Sequence, residues 1–245
     1  MFIRFNLGVL ILVLTLQDQV HTGEIIGGHE AVPHSRPYMV LLERHMSNGK
    51  KMHCDGFLLS EDFVMTAAHC HAESYKIYLG LHNYYKKNDV QQLTVPGKNA
   101  FPNRDYNKTD YRNDIMLLKL SSKAKFTDNV KPIVLADRDF GSLPQSCVVS
   151  GWGRTENSMH MSLNLLEVDV TLVENKQCAE ENKYCSEGKK GPGEGDSGGP
   201  LVCEDGKAYG VVCANMQNPD GLTVYGYTKI PDNSDWIDFI MKKHN

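Results

Sequence analysis

Short apolar or alternating segments recur along the chain, with turn residues between them. They are "YMVLLER" (38–44), "GFLLS" (56–60), "KIYLGL" (76–81), "DIMLLKL" (114–120), "CVVSGWG" (147–153), "EVDVTLV" (167–173) and "AYGVVC" (208–213). Val, Ile, Tyr and Thr dominate them, and none keeps a helical period for long. The pattern predicts an all-β fold, a sandwich or barrels. One helix is predicted at the end. Pro231 and Asn233 start it, Trp236, Ile237, Phe239 and Ile240 share a face, and Lys242-Lys243 lie near its C-terminus, where cations suit the helix dipole. Trp236 reads as core rather than ligand contact. Residues 125–146 lack clear alternation through their middle, and a crossover between two β units is placed there.

The first residues have a different character. Arg4 precedes the apolar run "LGVLILVLTL" (7–16), and polar "QDQVHTGE" follows, with the small residues Val20 and Thr22 near a cut. This is the form of a secretory signal, assigned to residues 1–22. A membrane anchor is the competing reading, but the run falls well short of the ~20 apolar residues a span requires. Residues 1–24 carry one basic and two acidic side chains, so their removal leaves 25 basic against 28 acidic groups, a formal charge of −3 instead of −4. That balance gives no reason to expect nucleic acid or an anionic membrane as a partner. Lys50-Lys51 and Lys86-Lys87 read as solvated surface. Seven cysteines, at 54, 70, 147, 178, 185, 203 and 213, suggest disulfides with one thiol left over in an exported chain.

Three motifs carry chemistry. "MTAAHC" places His69 beside Cys70; alone, such a histidine is more often a satisfied core residue. "NDIMLLKL" places Asp114 at the head of an apolar strand, where a turn or cap residue is the bland reading. "GPGEGDSGGPLVC" (191–203) surrounds Ser197 with glycines, which a simple hairpin would also explain. Taken together in the order His, Asp, Ser, with "IIGG" at 25–28 and "GWG" at 151–153, they are highly specific. A zinc site from His69, Cys70 and His71 is the alternative. Adjacent side chains suit it badly, and no second cluster has ligand spacing.

From Ile25 to its end the chain resembles the chymotrypsin/trypsin-fold serine proteases of the granzyme and mast-cell protease group. The resemblance implies two packed antiparallel six-stranded β-barrels, about 25–134 and 135–245, the second carrying the C-terminal helix. It implies a serine endopeptidase in which His69 takes the Ser197 proton, Asp114 orients the imidazole, and the N–H groups of Gly195 and Ser197 hold the oxyanion. No cofactor or metal is called for. It also implies a precursor in which Gly23-Glu24 is trimmed, so that the new amino group of Ile25 pairs with buried Asp196. The alternative is that this dipeptide belongs to the signal. Expected partners are protein or peptide substrates, an activating dipeptidyl peptidase and serine protease inhibitors. The expected state is a secreted monomer without stable membrane insertion, held in storage granules in such relatives. The mild charge differs from the basic character usual in granzymes.

By the same resemblance the disulfides are Cys54–Cys70, Cys147–Cys203 and Cys178–Cys185, with Cys213 free. The short Cys178–Cys185 segment implies a trimmed cleft wall. The primary pocket falls on Gly191, Cys213, Ala214, Asn215 and Tyr225. Relatives that cut after Lys or Arg carry an acid where this chain has Gly191. Granzymes that prefer acidic residues carry an arginine in the stretch where Tyr225 stands. The pocket's disulfide staple is missing, with Gly193 at one of its positions. An uncharged pocket results, for apolar or aromatic side chains, with small ones as the second choice. Cys213 stands where the family usually has a serine that donates to the catalytic aspartate; it reads either as a weaker, bulkier donor that leaves Asp114 less well held or as a small buried packing residue. "NKT" (107–109) marks Asn107 as a glycosylation sequon.

Overall fold

The computed structural model describes residues 25–138, 144–155, 158–217 and 222–244. The signal (1–22), the dipeptide Gly23-Glu24, and parts of the crossover and of the 214–226 pocket stretch lie outside them. The alternating segments become strands: β1 (His29–Glu30), β2 (Met39–His45), β3 (Lys51–Leu58), β4 (Phe63–Thr66), β5 (Ser74–Leu79), β6 (Gln91–Pro96), β7 (Ala100–Pro102) and β8 (Met116–Lys119). Beyond the crossover come β9 (Ser146–Gly151), β10 (Arg154–Thr155), β11 (Ser158–Met161) and β12 (Leu166–Val173). A short helix, α1 (Lys176–Glu180), precedes β13 (Lys183–Gly188), β14 (Pro200–Cys203), β15 (Ala208–Gln217), β16 (Thr223–Lys229) and the terminal helix α2 (Ser234–His244).

The second unit closes on itself. Its strands run β9-β12-β13-β16-β15-β14, and β9 pairs with both β12 and β14, so six antiparallel strands form a ring. The first unit stays open, in the order β6-β5-β2-β3-β4-β8-β7. The expected pair of six-stranded barrels is thus one closed barrel and one seven-stranded half-barrel. The physical reason lies at the open edges. β6 ends in Pro96 and the three-residue β7 ends in Pro102, and proline has no N–H to extend a ladder.

Burial follows from how the two units meet. β12 alternates strictly, with Leu166, Val168, Val170 and Leu172 inward. β2 breaks that rule, because both of its faces are covered. Val40 and Leu42 enter the first unit's core, while Met39 and Leu41 pack with Trp152 and Leu165 of the second. Each terminus crosses to the other unit. β1 pairs with Leu166 and Glu167 of β12, and Ile25 joins the second unit's core, so residues 25–30 do not belong to the first barrel. In α2, Ile237 and Ile240 join the core that holds Phe57 and Leu118. A 3₁₀ turn, Pro231–Asn233, leads into this helix. Trp236 is half-buried, but Phe239 is exposed, two residues and therefore about 200° round the helix from Ile237.

Candidate active site

β4 ends in a 3₁₀ turn, Ala68–Cys70, that presents His69 at the mouth of a cleft. Two restraints hold the turn. A disulfide joins Cys70 to Cys54 of β3, and the buried Arg44 donates to the carbonyls of His69 (3.1 Å) and His71 (3.3 Å). Burial lowers the Arg44 pKa, yet the guanidinium remains charged against these two dipoles. Asp114, fully buried just before β8, meets His69 twice. Its Oδ2 lies 2.6 Å from Nδ1, and its Oδ1 accepts the His69 backbone N–H at 2.8 Å. Thr228 Oγ1 donates to the Asp114 carbonyl at 3.2 Å. The Tyr111 ring stands edge-on to the imidazole, with centroids 5.7 Å apart.

Ser197 lines the same cleft as His69, a cavity of about 520 Å3 bounded also by Met52, His53, Met161, Glu194 and Gly195. Its carbonyl accepts the Asp55 N–H at 2.8 Å. Gly195 (φ +104°) and Gly198 (φ +87°) flank the Asp196-Ser197 pair in the left-handed region. A Cβ at Gly198 would also lie 2.1 Å from Thr66 Oγ1, so glycine is required there. Among the described residues, the N–H groups of Gly195 and Ser197 have no acceptor. Two unpaired amides beside a hydroxyl, and a histidine tied to a buried carboxylate, can together bind and attack a carbonyl carbon. Two larger cavities, of 760 and 670 Å3, hold none of these groups, so size does not locate the chemistry.

Asp196 points inward, away from the cleft. Its Oδ1 accepts from Gly153 N at 2.6 Å and its Oδ2 from Gly193 N at 2.7 Å. Ile25 is completely buried, and Ile26 bridges to Gly191, whose N–H meets the Ile26 carbonyl at 3.0 Å. The pocket residues also gather. A Cβ at Gly191 would sit 2.5 Å from the Tyr225 ring, and Tyr225 is 1% exposed. Asn215 donates to the Pro192 carbonyl at 3.2 Å, and Ala214 pairs with Gly226. Cys213 has a partner of its own. Its thiol donates to the Gly226 carbonyl at 3.1 Å, not to the Asp114 carboxylate, and burial pushes its pKa up to about 12.

Disulfides also join Cys147 to Cys203 and Cys178 to Cys185. Cys54, His69 and Cys70 bring ligand atoms within 4.8 Å of one another, but both sulfurs are spent in a disulfide, so the group offers a metal one imidazole. Asn107 is exposed on the loop before Asp114, its Oδ1 accepting the Thr109 N–H at 2.8 Å. Arg44, Asp55 and Thr228 were missed in the sequence. A charge inside the apolar "YMVLLER" and an acid directly after Cys54 were the available signals.

A protein-family model described as Trypsin matches residues 25–237. The chain belongs to the trypsin family. This trypsin-family member is 41% identical to "Duodenase-1" of Bos taurus over 248 residues, covering 96% of each chain. It is 40% identical to "Granzyme B(G,H)" of Mus musculus, covering 96% of this chain and 98% of that protein. The solved "Structure of GrC" superposes with a TM-score of 0.78 at 37% identity, over 89% of this chain and 100% of that one. The chain is a serine endopeptidase related to the granzymes, and its substrates are proteins. No helix among the described residues is long and apolar enough to cross a membrane.

Proposed function

We propose that this trypsin-family enzyme cleaves after short, uncharged side chains through an acyl-enzyme formed on Ser197. The observation that carries the reading is the pair of unengaged amides, Gly195 and Ser197, in a cleft shared with the Asp114-anchored His69. As Ser197 Oγ attacks the scissile carbonyl, His69 takes its proton and later returns it to the leaving amine. Asp114 keeps the Nδ1 proton in place and stabilises the imidazolium from a fully buried site. The two amides receive the developing oxyanion. Each such donor stabilises the transition state by ~3 kcal/mol. Tyr225 over Gly191 shortens the pocket and supports small apolar P1 residues over aromatic ones. The absence of a charged side chain at Gly191 and Tyr225 argues against Lys, Arg or acidic P1 residues.

Activation is read as removal of Gly23-Glu24 by a dipeptidyl peptidase. The buried position of Ile25, with Ile26 paired to Gly191, supports a new terminus that neutralises Asp196 and fixes the Gly193–Ser197 turn. We read the enzyme as a secreted monomer open to serine protease inhibitors. The test is a fluorophosphonate probe applied to protein that begins at Ile25. An adduct on Ser197, abolished in Ser197→Ala, is expected. Unlabelled, folded protein would leave a binding module in place of an enzyme.

A further inference from the structure

The carboxylate that receives the new terminus has a neighbour of its own kind. Asp55, in β3 directly after the disulfide-bonded Cys54, is fully buried, as Asp196 is. An ideal Cβ at Gly151 would sit 2.2 Å from Asp55 Oδ2 and 2.2 Å from Asp196 Oδ1, so both carboxyl groups crowd one point behind Ser197. Their partners are unequal. Asp196 accepts two short backbone N–H bonds, from Gly153 and Gly193. Asp55 accepts one, from Trp152 at 3.2 Å, and its Oδ1 has no partner among the described residues.

A fully buried carboxylate with one donor for its two oxygens is costly, whereas the protonated group is neutral and gains a donor of its own. Two ionised carboxylates in one dry site repel each other, so such pairs keep a shared proton. The member with more N–H donors, Asp196, holds the charge. We propose that Asp55 is a positioning residue that keeps this proton and donates it to the Asp196 carboxylate. The pocket then carries one negative charge, matched to the single positive charge of a trimmed Ile25 terminus. The proposal rests on the activation reading above and extends it to a third group. Burial, reinforced by the Asp196 charge, raises the Asp55 pKa well above the carboxylate range, while burial raises that of Asp196 against the opposing pull of its Gly193 and Gly153 donors. Among the described residues, no other titratable side chain faces the pair. β4 contributes Thr66 Oγ1 on the Asp55 carbonyl, the end of β9 and its loop contribute Gly151 and Trp152 N–H, and the turn before β14 contributes Gly199.

The sign of the pH dependence follows. A carboxyl group whose folded pKa is raised destabilises the fold progressively as pH climbs from about 4, its unfolded value, through its folded value. The Asn amide in Asp55→Asn donates permanently and cannot ionise. Protein beginning at Ile25, in a Ser197→Ala background, should therefore melt alike with Asp or Asn at 55 at about pH 4 and below. At pH 8 the Asn form should melt higher by about 3 °C or more. In active protein Asp55→Asn should keep kcat/KM within twofold at pH 6, while Asp55→Ala, which lacks the donor, should lose kcat several-fold at unchanged KM. ¹³C-carboxyl NMR of the unsubstituted protein reads the same proton directly, with Asp55 protonated at pH 6. An ionised Asp55 at pH 6, a melting difference independent of pH, or equal activity of the Asn and Ala forms would each overturn the proposal. Melting and NMR do not depend on turnover, so a failure of Ser197 to label would strike the catalytic reading alone.

Discussion

Truncating Tyr225 should exchange stability for a deeper primary pocket. The ring is 1% exposed and covers Gly191, whose added Cβ would lie 2.5–2.7 Å from three of its carbons. Replacing a buried aromatic by alanine costs about 3–5 kcal/mol in a closed core. At roughly 2–4 °C per kcal/mol for a chain of this size, Tyr225→Ala should melt about 10 °C lower. The vacated space opens over Gly191, and a P1 phenylalanine ring can fill it. Burying a side chain of that size contributes about 1.5–3 kcal/mol, which is roughly 10- to 150-fold in kcat/KM. The assay is a set of peptide substrates differing only at P1, from Ala through Val and Leu to Phe. Tyr225→Phe serves as the control that keeps the ring. The Phe-to-Ala ratio of kcat/KM should rise by that factor in Tyr225→Ala and stay put in Tyr225→Phe. Folded Tyr225→Ala protein with an unchanged ratio would show that Tyr225 does not bound the P1 site.

Other outcomes can be stated briefly. Protein beginning at Gly23 should turn over peptides roughly 100-fold more slowly than protein beginning at Ile25, the loss expected when an oxyanion donor is misplaced; equal rates would remove the activation step. Arg44→Met should lower unfolding free energy by about 2 kcal/mol, because it removes a charged donor from the His69 and His71 carbonyls, and should reduce kcat more than it raises KM. A denaturant melt with an unchanged midpoint would refute that. Cys213 should be the one thiol labelled by iodoacetamide in denatured, unreduced protein and should resist labelling when folded, since burial keeps it neutral. Cys213→Ser should alter kcat/KM less than twofold, because the thiol serves the Gly226 carbonyl and not Asp114; a several-fold gain would restore a role at the carboxylate.

Much of this architecture is visible in the chain because its strands are half-buried. In β12 every second residue faces the core, and the alternation of "EVDVTLV" shows it directly. β2 was harder to read, since Met39 and Leu41 are buried by Trp152 and Leu165, more than a hundred positions away. The open edge of the first unit was hidden for a related reason. Strand segments look alike whether or not their sheet closes, and only Pro96 and Pro102 hinted at termination. Motif residues stood out through unusual local composition, as the glycines around Ser197 do. Asp55 did not. Its environment is assembled from β3, the end of β9 and the turn before β14, so a single acid in "HCDGF" gives no sign of a second carboxylate across the fold.

The exchange of termini between the two units bears on how the protein is made. During synthesis the first unit emerges complete in its strands by Lys119, yet its core still lacks Ile230, Ile237 and Ile240. Until those residues leave the ribosome, the core they complete stays open to other chains. The N-terminal strand must likewise wait for Leu166 and Glu167 before it has anything to pair with. Folding is therefore completed late, by the contact that each end of the domain makes with the opposite unit. A nascent chain that stops short of Ile230 should accordingly be protease-sensitive, and one that includes Ile240 outside the ribosome should be resistant.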